Sequence, residues 1–156
     1  MGKGEPTYDG PLMGVSTLCE PVLRALPEWF GIEEALRRYV GEIDGLPAFV
    51  ARVDGRAVGF LTLRQHYDAS AELHLIAVMK RWQRQGVGRR LLDTAERYLR
   101  ERGVRVLYVK TLGPSHPDVH YARTRAFYEG VGFLPLEEFP TVWNPQNPCL
   151  IMVKSL

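Results

Sequence analysis

The stretch from Glu72 to Glu101 constrains this chain more than any other. Glu72-Leu73-His74-Leu75-Ile76-Ala77-Val78 is a mostly apolar run of strand length, the pattern of a buried strand. Further on, Leu91, Leu92, Ala95, Tyr98 and Leu99 recur at helical spacing, and Gly103 can end that helix. Between strand and helix lies the basic loop Gln83-Arg84-Gln85-Gly86-Val87-Gly88-Arg89. The first turn of a helix carries unpaired N–H groups and the positive end of the macrodipole. Glycines there let a ligand come close to the backbone. Strand, loop and helix together form a cradle for phosphate; the plainer alternative is a glycine-rich turn on a solvated basic face.

The spacing excludes two common phosphate motifs. A dinucleotide fingerprint needs a third glycine where this chain has Leu91, and a P-loop needs a Gly-Lys-Ser/Thr that is missing. Arg84 and Arg89 supply charge for more than one phosphate, with Arg81 and Arg90 as further candidates.

Around this unit the pattern predicts an α/β sandwich with one mixed sheet and helices on both faces. Residues 1–11 read as a frayed lead-in and Leu12 to Leu18 as a first strand, followed by two short helices over 20–43, one starting at Pro21. Strands at 48–53 and 57–63 flank Asp54-Gly55, a dipeptide suited to a tight hairpin. Past the 72–78 strand and its helix come a strand at 104–110, a loop over 111–120 and a helix over 121–129. A return strand starts at Gly132-Phe133, a loop covers 140–148 and a last strand covers 149–154.

With 156 residues, 46% of them hydrophobic, the chain suits a single domain spanning 1–156. Twenty basic against 18 acidic residues argue against nucleic acid or an anionic membrane as main partner. The arginines lack the interleaved aromatics of a single-strand binder. Cys19 and Cys149 stand far apart with no metal-ligand spacing, so no metal is expected and a reducing cytoplasm fits. No apolar run approaches the roughly 18 residues of a membrane span.

Val78, Gln83-x-x-Gly86-x-Gly88 and Leu91-Leu92 together resemble the acetyl-CoA motif of the GNAT acetyltransferase superfamily. Ala126-Phe127-Tyr128-Glu129-Gly130-Val131-Gly132-Phe133 resembles that superfamily's later helix-to-strand signature, and the likeness extends over about residues 46–135. It implies a mostly antiparallel sheet of six to seven strands, splayed between 72–78 and 104–110, with acetyl-CoA as co-substrate and pantetheine in the splay. Ile76, Ala77 and Val78 would contact pantetheine and thioester, and the Val78 amide would steady the oxyanion. Gln83, Arg84, Gln85, Gly86, Val87, Gly88 and Arg89 would hold the pyrophosphate. Tyr121, where the family often has Asn, would lie beside the cofactor. The acceptor implied is an amine, and the family leaves room for a homodimer; because the sequence shows no broad acidic or basic peptide groove, a small metabolite stands ahead of a protein N-terminus or lysine.

Amine acylation needs a base, because a protonated amine near pKa 10.4 cannot attack a thioester. Glu72 and His74 share parity with Ile76 and Val78, so an unbroken strand would show all four on one face. Either is a candidate base. The alternatives are that Glu72 caps the strand end and His74 packs as a neutral imidazole, with His116 and His120 in reserve. Tyr128 is the family-implied acid for the leaving thiolate, or else half of an aromatic core pair with Phe127. Trp29 and Phe30 would shape the acceptor pocket or clasp the sheet, and Trp143 could join them. Glu33 and Glu34 are helix-start charges or attractants for a cationic amine.

Overall fold

The computed structural model describes residues 4–156. Seven strands form one sheet in the order β1-β2-β3-β4-β5-β7-β6. They are β1 Thr7–Leu12, β2 Ala48–Val53, β3 Arg56–Tyr67, β4 Ser70–Val78, β5 Val106–Leu112, β6 Leu134–Asn144 and β7 Asn147–Ser155. Neighbours are antiparallel except β4 and β5, which run parallel. The helices are α1 Ser16–Arg24, α2 Pro27–Phe30, α3 Glu33–Ile43, α4 Val87–Glu101 and α5 Val119–Gly130.

Asp54 and Gly55 turn the β2–β3 hairpin with φ of 51° and 76°, the left-handed values such a two-residue turn requires. β3 is buried from Ala57 to Leu63 because helices cover both of its faces. On one face α4 packs Leu91, Leu92, Ala95 and Leu99 against Leu61 and Leu73. On the other, α1 and α3 bring Val22, Leu23, Leu36 and Ile43 onto Phe60 and Leu75. Asp44 closes the start of α1 from the end of α3, accepting from the Ser16 N–H and hydroxyl at 2.9 Å each.

The ends of the sheet depart from expectation. The lead-in expected to fray is β1 from Thr7, paired Thr7↔Arg52 to Leu12↔Ala48, while its residues 1–3 lie outside the described part. The strand expected over 12–18 is instead the end of β1 and the start of α1, and Pro21 lies inside that helix rather than at its start. β6 runs on to Asn144 through the segment expected to be a loop. β1 and β6 are the two edges of the sheet, where polar residues and prolines are tolerated, so neither shows the alternation of a half-buried strand. β3 likewise extends to Tyr67 beyond the helices, where its polar residues face solvent.

A buried charge ties α4 to the far half of the sheet. Glu96 on α4 accepts from Lys154 Nζ of β7 at 2.7 Å and from Arg100 at 2.9 Å, and Lys154 also donates to the Val131 carbonyl at 2.6 Å. Replacing Lys154 by Met leaves the Glu96 carboxylate short of a partner. It is expected to cost about 1.5–3 kcal/mol, read as a shift in the urea midpoint; a midpoint unchanged from wild type would show that the tie carries no stability.

Candidate functional site

β4 and β5 pair from Ser70↔Val106 to Leu73↔Val109 and then part. β5 turns its remaining residues to β7, pairing Lys110↔Ile151, Thr111↔Leu150 and Leu112↔Cys149, while β4 runs on to Val78. The expected splay is therefore present, as a gap opening after Leu73. Met79 N–H donates to the Val58 carbonyl on the β3 side at 2.8 Å. Alternation along the strand then turns the N–H and C=O groups of Ile76 and Val78 toward the gap, with Ala77 facing β3.

A bulge in β4 changes which side chains line this gap. Thr62 pairs Leu75 and Leu63 pairs Leu73, so His74 is an extra residue on β4. Leu73 packs under α4 whereas Leu75 packs under α1 and α3, and Ile76 and Val78 pack on the α4 side. The expectation that Glu72, His74, Ile76 and Val78 share a face is corrected: Glu72 and His74 look to the α3 side and Ile76 and Val78 to the α4 side.

His74, the other candidate base, is held at both ring nitrogens. Its Nδ1 meets Thr62 Oγ1 at 2.9 Å and its Nε2 meets Glu42 Oε2 at 2.6 Å, and Glu42 further accepts from Arg64 at 2.9 Å. Tyr39 stands edge-on to the imidazole at 6.1 Å, with Phe30 behind it at 5.9 Å. Glu72 differs. It is 5% exposed, its Oε1 is buried without a partner, and its Oε2 lies 3.6 Å from Lys110 Nζ. Thr111, on β5 just past the parting, also has a buried hydroxyl without a partner. These two unsatisfied polar groups come from the two strands that flank the gap.

The glycine loop ends at α4. Gly86 is the N-cap with φ of 84°, and Arg84 also takes a left-handed φ of 60°. No side chain caps this helix and its first turn holds no acid, so its leading N–H groups stay open to an anion. A side chain at Gly88 would meet Phe127 of α5 at 3.1 Å, so the second glycine serves the close approach of α4 and α5. Gln83 does something the sequence did not suggest: its side-chain amide donates to the Val78 carbonyl at 2.8 Å and its N–H to the Lys80 carbonyl at 3.2 Å. It fastens the end of β4 and leaves the Val78 N–H as the open group. Gln85 donates to the Arg81 carbonyl at 2.7 Å, and Arg90 lies over the Tyr8 ring at 4.9 Å.

Tyr128 is buried in the α4-side core, 5.7 Å from the Phe127 ring and 5.5 Å from Phe133. Burial pushes its phenol well above the ordinary 10, so giving a proton outright to a thiolate is uphill rather than near thermoneutral. Trp29 and Phe30 sit half-buried on α2. Trp29 Nε1 donates to Thr124 Oγ1 at 3.0 Å and its ring lies edge-on to His120 at 5.0 Å. The Tyr121 hydroxyl reaches the Trp29 carbonyl at 3.4 Å, and burial pushes its pKa up to about 12. These contacts clasp α2 to α5. Trp143 stands 46% exposed on edge strand β6, and Glu33 is taken by Arg24 and Arg37. The loop after β5 is pinned to β6 by Ser115 N–H donating to Glu138 at 2.9 Å, beside a cavity of about 500 Å³ lined also by His116 and Pro148. Glu42, Arg64, Tyr39 and Lys110 are the site residues that sequence reasoning missed, since only the fold brings them to Glu72 and His74.

Burial holds His74 below its ordinary 6.5 despite the opposing pull of Glu42. The unfolded chain therefore binds this proton more readily, so the contribution to stability is complete above about pH 6.5 and declines as pH falls below it. Denaturant midpoints measured from about pH 8 down to about pH 5 are expected to show that decline. His74→Gln is expected to remove part of the slope; an unaltered slope would contradict the assignment.

Residues 19–133 match the model of the Acetyltransferase (GNAT) family. An uncharacterized N-acetyltransferase of Chlorobaculum tepidum is 28% identical over 119 residues, covering 69% of this chain and 70% of that protein. A GNAT-family protein from Desulfovibrio desulfuricans superposes with a TM-score of 0.83 at 21% identity, over 96% of this chain and 98% of its own. An aminoglycoside 6′-N-acetyltransferase solved with coenzyme A superposes at 0.72 with 19% identity, over 96% of each chain. With the parted strands and the uncapped glycine turn in place, the chain belongs to the GNAT family of N-acetyltransferases, which transfer an acetyl group from acetyl-CoA to an amine.

Proposed function

We propose that this acetyltransferase acts on the primary amine of a small molecule, by direct attack within a ternary complex, with Glu72 as the base. One observation carries the reading: a buried carboxylate oxygen without a partner, on the strand whose edge is open where β4 and β5 part. The pyrophosphate would rest on the N–H groups of Val87, Gly88 and Arg89, with Arg84 and Arg89 adding charge. Pantetheine would pair with the open edge at Ile76, and the Val78 N–H would meet the thioester and face the developing oxyanion. Glu72 would take the amine proton from the α3 side, directly or through water. Tyr128, raised by burial, would steady the departing thiolate by hydrogen bonding while solvent completes protonation.

Direct transfer is supported by the state of the cysteines. Both are buried, and burial pushes the Cys19 thiol up to about 12 and raises Cys149 as well, which suits neither to form an acyl intermediate. A small acceptor is favoured by the Trp29–Thr124 and Tyr121–Trp29 contacts, which hold α2 against α5. The neighbour of similar fold named as an aminoglycoside 6′-N-acetyltransferase is in line with this. No helix among the described residues is long and apolar enough to cross a membrane.

Isothermal titration of acetyl-CoA is expected to show binding to the wild type that Gly86→Trp abolishes, since φ of 84° disfavours any side chain there. Thiol release across a panel of small amines and N-terminal peptides is expected to favour the small amines. Glu72→Gln is expected to lower kcat about 100-fold, with acetyl-CoA affinity within about threefold of wild type. Turnover confined to peptides would transfer the activity to protein N-termini. Tight binding without turnover on any amine would leave an acyl-CoA-binding regulatory module.

A further inference from the structure

The chain has four lysines, Lys3, Lys80, Lys110 and Lys154, of which Lys3 lies outside the described residues. Two of the rest already hold a carboxylate by a hydrogen bond, Lys154 inside the protein and Lys80 on its surface with 54% of its side chain exposed. Lys80 is hydrogen-bonded to Glu28, and Lys154 donates to Glu96 at 2.7 Å and to the Val131 carbonyl at 2.6 Å. Lys110 is held differently. It is the first β5 residue past the last pairing step with β4, at the mouth of the gap. Its Nζ is 3.6 Å from Glu72 Oε2, too long for a hydrogen bond, and its side chain is 36% exposed on a flexible stem. Leu107 and Val109 face the α4-side core, so Lys110 projects to the α3 side with Glu72.

We infer that Lys110 is itself an acetyl acceptor, so that the enzyme modifies its own gap when acetyl-CoA is bound and no amine is present. The inference rests on the reading of Glu72 as the base. A primary amine stands at the start of the gap, next to the carboxylate that would deprotonate a substrate amine, and its four-carbon stem lets it swing along the gap toward the thioester. Glu72 takes one proton from the Lys110 ammonium, and the freed Nζ lone pair attacks the acetyl carbonyl carbon. The new C–N bond forms as the C–S bond breaks, and the second amine proton passes to the thiolate, giving free CoA and an acetyl-lysine. The product is neutral and larger than the ammonium, and it fills the acceptor side of the gap beside Glu72. A chain so modified will turn over an external amine more slowly than the unmodified one.

The test is incubation of the purified chain with acetyl-CoA alone, followed by intact mass measurement and peptide mapping, with acetyl-CoA affinity measured in parallel by titration. Expected is one added acetyl group mapped to Lys110, with Lys154 unmodified and Lys80 and Lys3 at the level of non-enzymatic background. Lys110→Arg is expected to remove the adduct while acetyl-CoA binds within about twofold of wild type, and Glu72→Gln to slow its formation at least about tenfold. Acetyl-CoA binding with no adduct at Lys110 would overturn this inference and leave amine transfer standing. Acetylation spread evenly over the lysines, or formed at Lys110 equally fast in Glu72→Gln, would overturn it too. Failure to bind acetyl-CoA at all would remove both readings.

Discussion

The parting of β4 from β5 after Leu73 and Val109 is the constraint on which the rest of the site depends. β5 continues its ladder with β7, so β4 runs on to Val78 with one edge unpaired beside the gap. Such an edge is a row of N–H and C=O groups ready to pair with an extended chain. An extended, amide-bearing arm can pair with it as an added strand does. Gln83 reinforces the arrangement by taking the Val78 carbonyl, which fixes the strand end and presents its N–H alone. The Gly86 turn then starts α4 immediately beyond, so the open edge and the anion cradle are parts of one continuous segment.

The bulge at His74 gives the gap two distinct sides. It lets β4 pack Leu73 and Ile76 together under α4 although they are three residues apart, and it turns His74 into a fixed strut between Thr62 and Glu42. Arg64 and Tyr39 complete that strut and keep the α3-side wall rigid next to Glu72. On the proposed reading, proton chemistry and acceptor entry would fall on the α3 side, and cofactor packing against Gly88, Phe127 and Tyr128 on the α4 side. Such a separation would suit a ternary complex, with the two substrates approaching the gap from opposite faces of the sheet.

What could be read from the sequence was what local chemistry dictates. Asp54-Gly55 demanded left-handed backbone and made the hairpin, the apolar stripe from Leu91 to Leu99 made α4, and Gly86 marked the helix start. The splay was legible through a family likeness alone, because strand pairing is non-local. The bulge left no mark, since one extra residue in an apolar run looks like its neighbours, and the parity argument for His74 failed on it. β1 and β6 were misread because edge strands carry polar residues and prolines. The partners of His74 and Glu72 come from α3, β3 and β5, and no spacing along the chain brings Glu42, Arg64 or Lys110 to them.

The most direct measurement is amide hydrogen exchange at residue resolution with and without acetyl-CoA. Slowed exchange is predicted at the N–H groups of Ile76 and Val78 and of Val87 to Arg89, with β6 unchanged. Binding that leaves those amides exchanging as before, or that protects a different part of the sheet, would contradict the assignment of the parted strands and the glycine turn as the acetyl-CoA site.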